Sequence, residues 1–222
     1  MADMLKYSHI IWDWNGTLFD DVAWCIKVIN TMLAKRGIAT LRNVADYHNA
    51  FCFPIIQYYK NLGFDLKSEP FEDLAAEYIS LYHSDKSGNC GLYPDTLTVL
   101  DYIRKNGITQ TILSASETSN LLSQIDEFHI SHYFDEILGL SNIYAKSKID
   151  IGLDYIARKG VSNAILIGDT KHDYEVANAL GADCILIANG HQSKEALLSC
   201  HTLVLDDISS AIWHIGQVLD GD

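Results

Sequence analysis

The stretch Ile10-Ile11-Trp12-Asp13-Trp14-Asn15-Gly16-Thr17-Leu18 decides how this chain is read. An apolar run ends in a carboxylate and a glycine turn follows at once; a buried strand that ends in Asp aims that Asp at something. Taken alone, Asn15-Gly16 between apolar neighbours is equally a hairpin signal. Two further runs resolve the choice. Thr111-Ile112-Leu113 leads into Ser114, and Ile165-Leu166-Ile167 leads into Gly168-Asp169-Thr170-Lys171-His172-Asp173. All three are continuously apolar rather than alternating, the pattern of strands covered on both faces in a parallel sheet. Ligands of open α/β sheets bind outside the carboxyl ends of the strands, so Asp13, Ser114 and Asp169 are expected to meet in one crevice.

From about Leu92 onward, strand and helix patterns alternate. Strands are expected near 109–114, 135–139, 164–168 and 183–187, with helices from Glu117, Asp150 and His172. Such alternation predicts βαβ units, hence an α/β fold with a doubly wound, Rossmann-like parallel sheet. Residues 20–88 read differently. Val22, Ile26, Ile29 and Leu33 recur at helical spacing up to Gly37, and helical patterns return over 55–62 and 71–83. The expected organisation is a core domain of residues 1–19 and 89–222, interrupted by a helical domain of residues 20–88.

The 222 residues suffice for one good-sized core and a small accessory domain, and 48% apolar with 20% charged residues is ordinary for a globular protein. Twenty-nine acidic against 16 basic residues give a net charge of -13, which repels phosphate backbones and anionic lipid. Nucleic acid and membrane partners are therefore not expected. Met1 to Ser8 carries no apolar signal region, and no run approaches the length of a membrane span. The five cysteines are odd in number and scattered without Cys-x-x-Cys spacing, which suits core packing in a reducing cytoplasm.

Asp13-Trp14-Asn15-Gly16-Thr17-Leu18 resembles the Asp-x-Asp-Gly-Thr-Leu motif of the haloacid dehalogenase-like hydrolase superfamily, in its phosphoglycolate phosphatase-like branch with a helical cap. Ser114 falls on the family's second motif and Gly168 to Asp173 on its fourth. Lys148, read with Asp150 against Lys-Pro-Asp, falls on the third, with Lys146 as the alternative. Gly91-Leu92-Tyr93-Pro94-Asp95 is similar to the segment through which such chains return from the cap to the core. The resemblance spans nearly the whole chain and makes residues 20–88 the cap.

That resemblance implies an Mg²⁺-dependent phosphatase acting on a small phosphorylated metabolite. Asp13 would attack phosphorus and form an aspartyl phosphate, dividing one hard displacement into two easier ones. Ser114 would donate to a phosphoryl oxygen and Lys148 would neutralise charge there. Asp13, the Asn15 backbone carbonyl and Asp169 would ligate Mg²⁺, with Asp173 behind them. Trp14, Gly16, Thr17 and Ala115 would border the phosphate together with Ser114 and Lys148. Each motif residue also has a plain structural reading: Ser114 as a cap for the following helix, Asp173 as an N-terminal helix residue, Lys148 as a solvated side chain.

Asn15 departs from the family pattern. In family phosphatases the second Asp protonates the leaving oxygen and then activates the hydrolytic water, and an amide does neither. General acid-base help contributes about 10² to 10⁴ in rate. Three explanations stay open: a substrate with a good leaving group, a substitute such as His172, His48 or a substrate hydroxyl, or a phospholigand-binding protein without efficient chemistry. Gly168-Asp169-Thr170 resembles the metal-binding phosphatase form rather than a dehalogenase. Phosphonate cleavage in the family needs a Schiff-base Lys in the cap, and Lys27, Lys35, Lys60 and Lys67 all read as surface residues. His48 to Pro54 lies where relatives carry a specificity loop, with Phe51 and Phe53 read as cap-core packing or as substrate contacts. Asp20 and Asp21 read as helix caps.

Overall fold

The computed structural model describes residues 6–84, 90–140 and 147–215. The strands in chain order are β1 (His9–Trp12), β2 (Phe19–Asp20), β3 (Gly91–Leu92), β4 (Thr109–Glu117), β5 (Glu136–Leu140), β6 (Ala164–Gly168), β7 (Asp183–Ile187) and β8 (Leu203–Leu205). Six of them form one sheet in the order β5-β4-β1-β6-β7-β8, and every pairing in it is parallel. The chain thus starts in the middle of the sheet and reaches the two sides of β1 in separate excursions. That places the topological switch at the carboxyl end of β1.

Both faces of the sheet are covered, which is why its strands carry unbroken apolar runs. Ile10 and Trp12 point to one side, into a core shared with α5 (Thr96–Lys105), α6 (Thr118–Glu127) and α10 (Ala211–Ile215). Ile11, between them, points to the other side with Leu113 and Leu166, against α7 (Lys148–Lys159) and α8 (Lys171–Leu180). The two-residue period of a strand produces this division directly.

Between β2 and β3 lies a helical layer of α1 (Val22–Lys35), α2 (Val44–Ala50), α3 (Ile55–Asn61) and α4 (Phe71–Ser84). It has its own core, in which Val28, Ile29, Met32 and Leu33 of α1 meet Tyr47, Tyr58, Tyr59, Leu74 and Tyr82. Truncating one of these aliphatic side chains to Ala costs about 2–5 kcal/mol. α1 ends where Gly37, at φ +66°, lets the Ile38 N–H turn back to the Leu33 carbonyl. The chain leaves the sheet and returns to it side by side, since β2 and β3 pair antiparallel through Phe19 with Leu92 and Asp20 with Gly91. The expected boundary at 88/89 lies outside the described residues.

Several elements differ from the sequence reading. β4 continues through Ser114 to Glu117, with a register irregularity between Leu113 and Glu117, and α6 begins only at Thr118. α7 begins at Lys148 rather than Asp150 because Ser147 caps it and Asp150 closes the capping box from the third helical position. The short α2, the β2–β3 ribbon and the edge strand β8 carry too few residues for periodicity to mark them. Among the described residues, no helix is long and apolar enough to cross a membrane. Cys25, Cys52, Cys184 and Cys200 are free thiols.

Candidate active site

The register of the sheet assembles the site. Trp12 pairs with Ile112 on one side and Ile167 on the other, so the next residues of three strands emerge together. Asp13, Ser114 and Asp169 are all buried there. α7 and α8 start at this same edge. Helical side chains lean toward the helix N-terminus, so Lys148, the first residue of α7, reaches back over the strand ends. Its Nζ donates to Asp13 Oδ1 at 2.5 Å and to Asp173 Oδ1 at 2.6 Å. Lys146 lies outside the described residues.

Asp173 does two jobs at once. Its Oδ2 accepts from the Thr170 backbone N–H at 3.0 Å and hydroxyl at 2.6 Å, closing the capping box of α8. Its Oδ1 faces Lys148. The Thr17 hydroxyl lies between the nucleophile candidate and the neighbouring acid, 3.4 Å from Asp13 Oδ2 and 3.3 Å from Asp169 Oδ1. Asp169 Oδ2 accepts from the His191 backbone N–H at 2.6 Å. Gly16 and Gly190 clamp that carboxylate: a Cβ would stand 2.2 Å from Asp169 Oδ2 at Gly16, which also has φ +77°, and 2.1 Å from it at Gly190. Only glycine permits this approach.

Two buried carboxylates, Asp13 and Asp173, therefore share one ammonium group, and a third, Asp169, lies beside them without contact to it. Burial and the Asp173 charge push the Asp13 carboxyl up, Lys148 pulls it down, and it settles at about 6. Burial raises Asp169 well above the usual carboxylate range. Burial would raise Asp173 also, but the Lys148 charge and hydrogen bond hold it low. Lys148 itself is lifted above the ordinary lysine range, because the two carboxylates outweigh its desolvation. A divalent cation fits this donor set. Asp13, Asp169 and Asp173 offer hard oxygen ligands within 4.8 Å of one another, and the under-compensated Asp169 is the group such an ion would keep ionised.

Ser114 is buried, but its Oγ accepts from the Ser116 backbone N–H at 3.0 Å instead of capping α6. Ala115 is exposed and lines the cavity beside it. Trp14 corrects the sequence reading as far as its side chain is concerned. The indole is fully buried, stacks on Phe19 at 5.3 Å and donates to Gln124 Oε1 at 2.9 Å. Apolar surface on that side of the turn draws it into the sheet core, so only its backbone is left to the site.

Asn15 anchors a second network. Its Oδ1 accepts from Ser116 Oγ at 2.7 Å, while its Nδ2 donates to Asp21 Oδ2 at 2.9 Å and reaches Tyr82 Oη at 3.3 Å. Asp21 occupies the N-cap position of α1 but makes no side-chain cap bond, contrary to its reading as a cap. Its carboxylate is turned inward instead. Oδ2 also accepts from the Tyr82 hydroxyl at 2.6 Å, and Oδ1 lies 3.2 Å from His191 Nε2. His191 Nδ1 is 2.8 Å from the Tyr47 hydroxyl. Burial would raise Asp21, but the His191 charge and the bonds from His191, Tyr82 and Asn15 keep it below the usual range. Burial would lower His191, and Asp21 with the neighbouring acids raises it to about 9.

Sequence reasoning missed His191, Ser116 and the inward role of Asp21. The available signal was positional: His191 follows the apolar strand 183–187, at the same sheet edge as the other strand-end residues. Of the histidines weighed as substitutes, His172 lines the cavity. His48 lies 2.9 Å from the Gly190 carbonyl. Phe51 stacks on His191 at 5.3 Å and Phe53 on His172 at 4.7 Å, so both pack the helical layer onto the core while also lining the cavity.

A crevice of acids and one lysine at the switch point of a parallel sheet, faced by an inserted helical layer, defines a doubly wound α/β protein with a strand-end carboxylate site. The chain belongs to the haloacid dehalogenase-like hydrolase family, whose sequence model matches residues 10–187. A phosphoglycolate phosphatase of Pseudomonas savastanoi pv. phaseolicola is 22% identical over 213 residues, covering 91% of this chain and 78% of that protein. One of Rhodobacter capsulatus is 24% identical over 206 residues, covering 90% and 93%. A solved haloacid dehalogenase-like hydrolase from Streptococcus pneumoniae superposes with a TM-score of 0.80 at 20% identity, covering 94% of this chain and 98% of that one.

Proposed function

We propose that this chain is an Mg²⁺-dependent phosphatase that removes phosphate from a small phosphorylated metabolite through an aspartyl phosphate on Asp13. The observation that carries the reading is the Asp13–Lys148–Asp173 cluster beside Asp169: a carboxylate at a strand end, with a cation in contact and two further acids behind it. The phosphatase relatives support the reaction class.

Phosphate monoesters resist attack because their own charge repels nucleophiles, so the protein must bring cations and a fixed carboxylate together. Asp13, the Asn15 backbone carbonyl, Asp169 and Asp173 would hold the metal ion. When bound, it would neutralise phosphoryl charge and orient the phosphate. The remaining work falls to the chain. Asp13 is oriented by Lys148 and Thr17, whose contacts leave it one conformation. Lys148 balances the negative charge accumulating between Asp13 and the phosphoryl oxygens. Ser114 Oγ, whose acceptor side is engaged by the Ser116 N–H, keeps its own O–H for a phosphoryl oxygen. The layer of residues 20–88 serves as a cap that closes the cavity and excludes water. Asn15 donates to Asp21 and offers no acid to the leaving group.

The test is a panel of phosphate esters and acyl phosphates assayed with Mg²⁺ and with EDTA, followed by borohydride trapping and peptide mapping of Asp13. Turnover that EDTA abolishes, with label on the Asp13 peptide, is the expected result. Phospholigand binding without turnover on any member would replace this reading by a binding protein on the same scaffold.

A further inference from the structure

The half of the cavity that receives the leaving group has a chemistry of its own. The cavity measures about 410 Å³ and runs from Asp13 and Lys148 up into the helical layer. That lies within the range of small-molecule sites. Its upper wall is built by Phe51, Phe53, Tyr58, Tyr78 and Ile79.

Charge is missing from that wall. Among the described residues that line the cavity, Lys148 is the only Lys or Arg, and Asp13 and Asp173 already engage it. His191 has both ring nitrogens engaged, Nε2 3.2 Å from Asp21 Oδ1 and Nδ1 2.8 Å from the Tyr47 hydroxyl. The His172 ring is engaged by Phe53, on which it stacks at 4.7 Å. A carboxylate on the substrate would therefore leave water without a cation to meet it, and Glu117 at the lining would repel it. Of the neutral polar groups at the lining, Tyr58 stands out. The Tyr58 hydroxyl is buried and has no hydrogen-bond partner among the described residues.

We infer that the leaving group is a neutral aryl alcohol whose ring lies among these aromatic side chains, with a hydroxyl or carbonyl substituent within reach of Tyr58. This rests on the phosphatase reading and names its substrate class. Asn15 points independently to the same class. Its amide is held by Ser116, Asp21 and Tyr82 and supplies no proton, so the departing oxygen must leave as an anion. A phenolate does this far more readily than an alkoxide. In the first step an Asp13 oxygen bonds to phosphorus while the phosphorus–aryl oxygen bond breaks. The electron pair leaves on the phenolate, which takes a proton from solvent. Water then displaces the Asp13 oxygen from phosphorus, giving inorganic phosphate and restoring the carboxylate. Ring faces and edges in the wall match a flat aromatic group better than a flexible chain.

Four substrates separate the parts of this inference: phenyl phosphate, benzyl phosphate, acetyl phosphate and 2-phosphoglycolate, each with Mg²⁺. Phenyl phosphate should exceed 2-phosphoglycolate in kcat/KM by about 100-fold. Benzyl phosphate, with the same ring on a poor leaving group, should keep a similar KM and lose about 100-fold in kcat. Acetyl phosphate, with a good leaving group and no ring, should show a KM about tenfold above that of phenyl phosphate. The variant Ile79→Arg sets a cation on the wall at a position 43% exposed, where folding tolerates it. It should raise the KM of phenyl phosphate about tenfold and lower that of 2-phosphoglycolate. A wild-type preference for 2-phosphoglycolate, or equal kcat for phenyl and benzyl phosphates, overturns the inference while the phosphatase reading stands. No turnover of any of the four, acetyl phosphate included, removes both.

Discussion

Two neighbouring regions bury carboxylates against the same cavity and leave them in opposite conditions. At the strand ends, Asp13 and Asp173 share the ammonium group of Lys148 with Asp169 beside them, and Asp13 is pushed up to about 6. A few ångströms on, Asp21 alone collects Asn15, Tyr82 and a protonated His191. The first region is short of positive charge, and in the proposed reaction a cation and a phosphate would complete it. The second is already complete, and its product is a fixed Asn15. A buried acid is thus not in itself a reactive one; the number of partners it already has decides that.

The largest effects should come from the under-compensated region. Asp13→Asn removes the nucleophile at constant volume and should lower turnover by about 10⁴ or more while the thermal transition stays cooperative. Residual activity near the parental level would take Asp13 out of that role. Lys148→Ala leaves two carboxylates facing each other in a dry site and should cost several kcal/mol of transition-state stabilisation. Lys146→Ala should be near neutral, and a reversal of the two effects would move the third motif by two residues. For Asp169→Asn the sharper readout is thermal: Mg²⁺ should raise the Tm of the parent and not that of the variant. Equal shifts in both would separate Asp169 from the metal.

The saturated region offers a direct inversion. Asn15→Asp sets a carboxyl where the Asn15 amide now lies 2.9 Å from Asp21 Oδ2. Two carboxylates that close cannot both ionise, so one must take up a proton, at a cost to stability of about 3 kcal/mol. Asn15→Asp combined with Asp21→Asn restores one amide against one carboxyl. The double variant should recover part of that loss and, with an acid at position 15, raise turnover of alkyl phosphates about 10²-fold. Stability losses that simply add in the double-mutant cycle would show that the two side chains do not act as a pair. Asn15-Gly16 is a deamidation-prone sequence, so peptide mass mapping belongs with each assay.

These two regions also differ in how far the sequence betrays them. The strand-end acids follow continuous apolar runs, and the physics that makes a strand apolar on both faces also places its next polar residue in the crevice. Asp13, Ser114 and Asp169 were legible for that reason, whereas Lys148 was placed only by its position in the motif order of the resembled family. The Asp21 network is built from contacts across 61 residues to Tyr82 and between residues 21 and 191. An Asp at a helix start has a sufficient local explanation as a cap, and nothing in sequence spacing reveals that its carboxylate turns inward. For Trp14 the motif gave the position but not the direction of the side chain: the indole had an apolar core and the Gln124 acceptor available on the far side of the turn. The helix Val44–Ala50 was invisible because Tyr47 is its one buried residue, too few to set a period.

The smallest predicted effect concerns Tyr82→Phe, and it tests whether the second region is scaffold rather than machinery. The Tyr82 hydroxyl donates to Asp21 Oδ2 at 2.6 Å, its ring belongs to the helical-layer core, and its backbone carbonyl accepts from the Trp24 indole at 2.9 Å. The substitution keeps the ring and the carbonyl and deletes the hydroxyl's bond to the charged Asp21 together with the longer bond it accepts from Asn15. Asp21 retains His191 and Asn15, so the loss should be about 1.5–3 kcal/mol of stability. Because Asn15 still has Ser116 and Asp21 to hold it, kcat should move by only a few-fold. Chemical denaturation gives the first number and steady-state kinetics on an aryl phosphate the second. A loss of kcat on the scale of Asp13→Asn, with little change in stability, would place Tyr82 and Asp21 among the reacting groups and dissolve the distinction between the two regions.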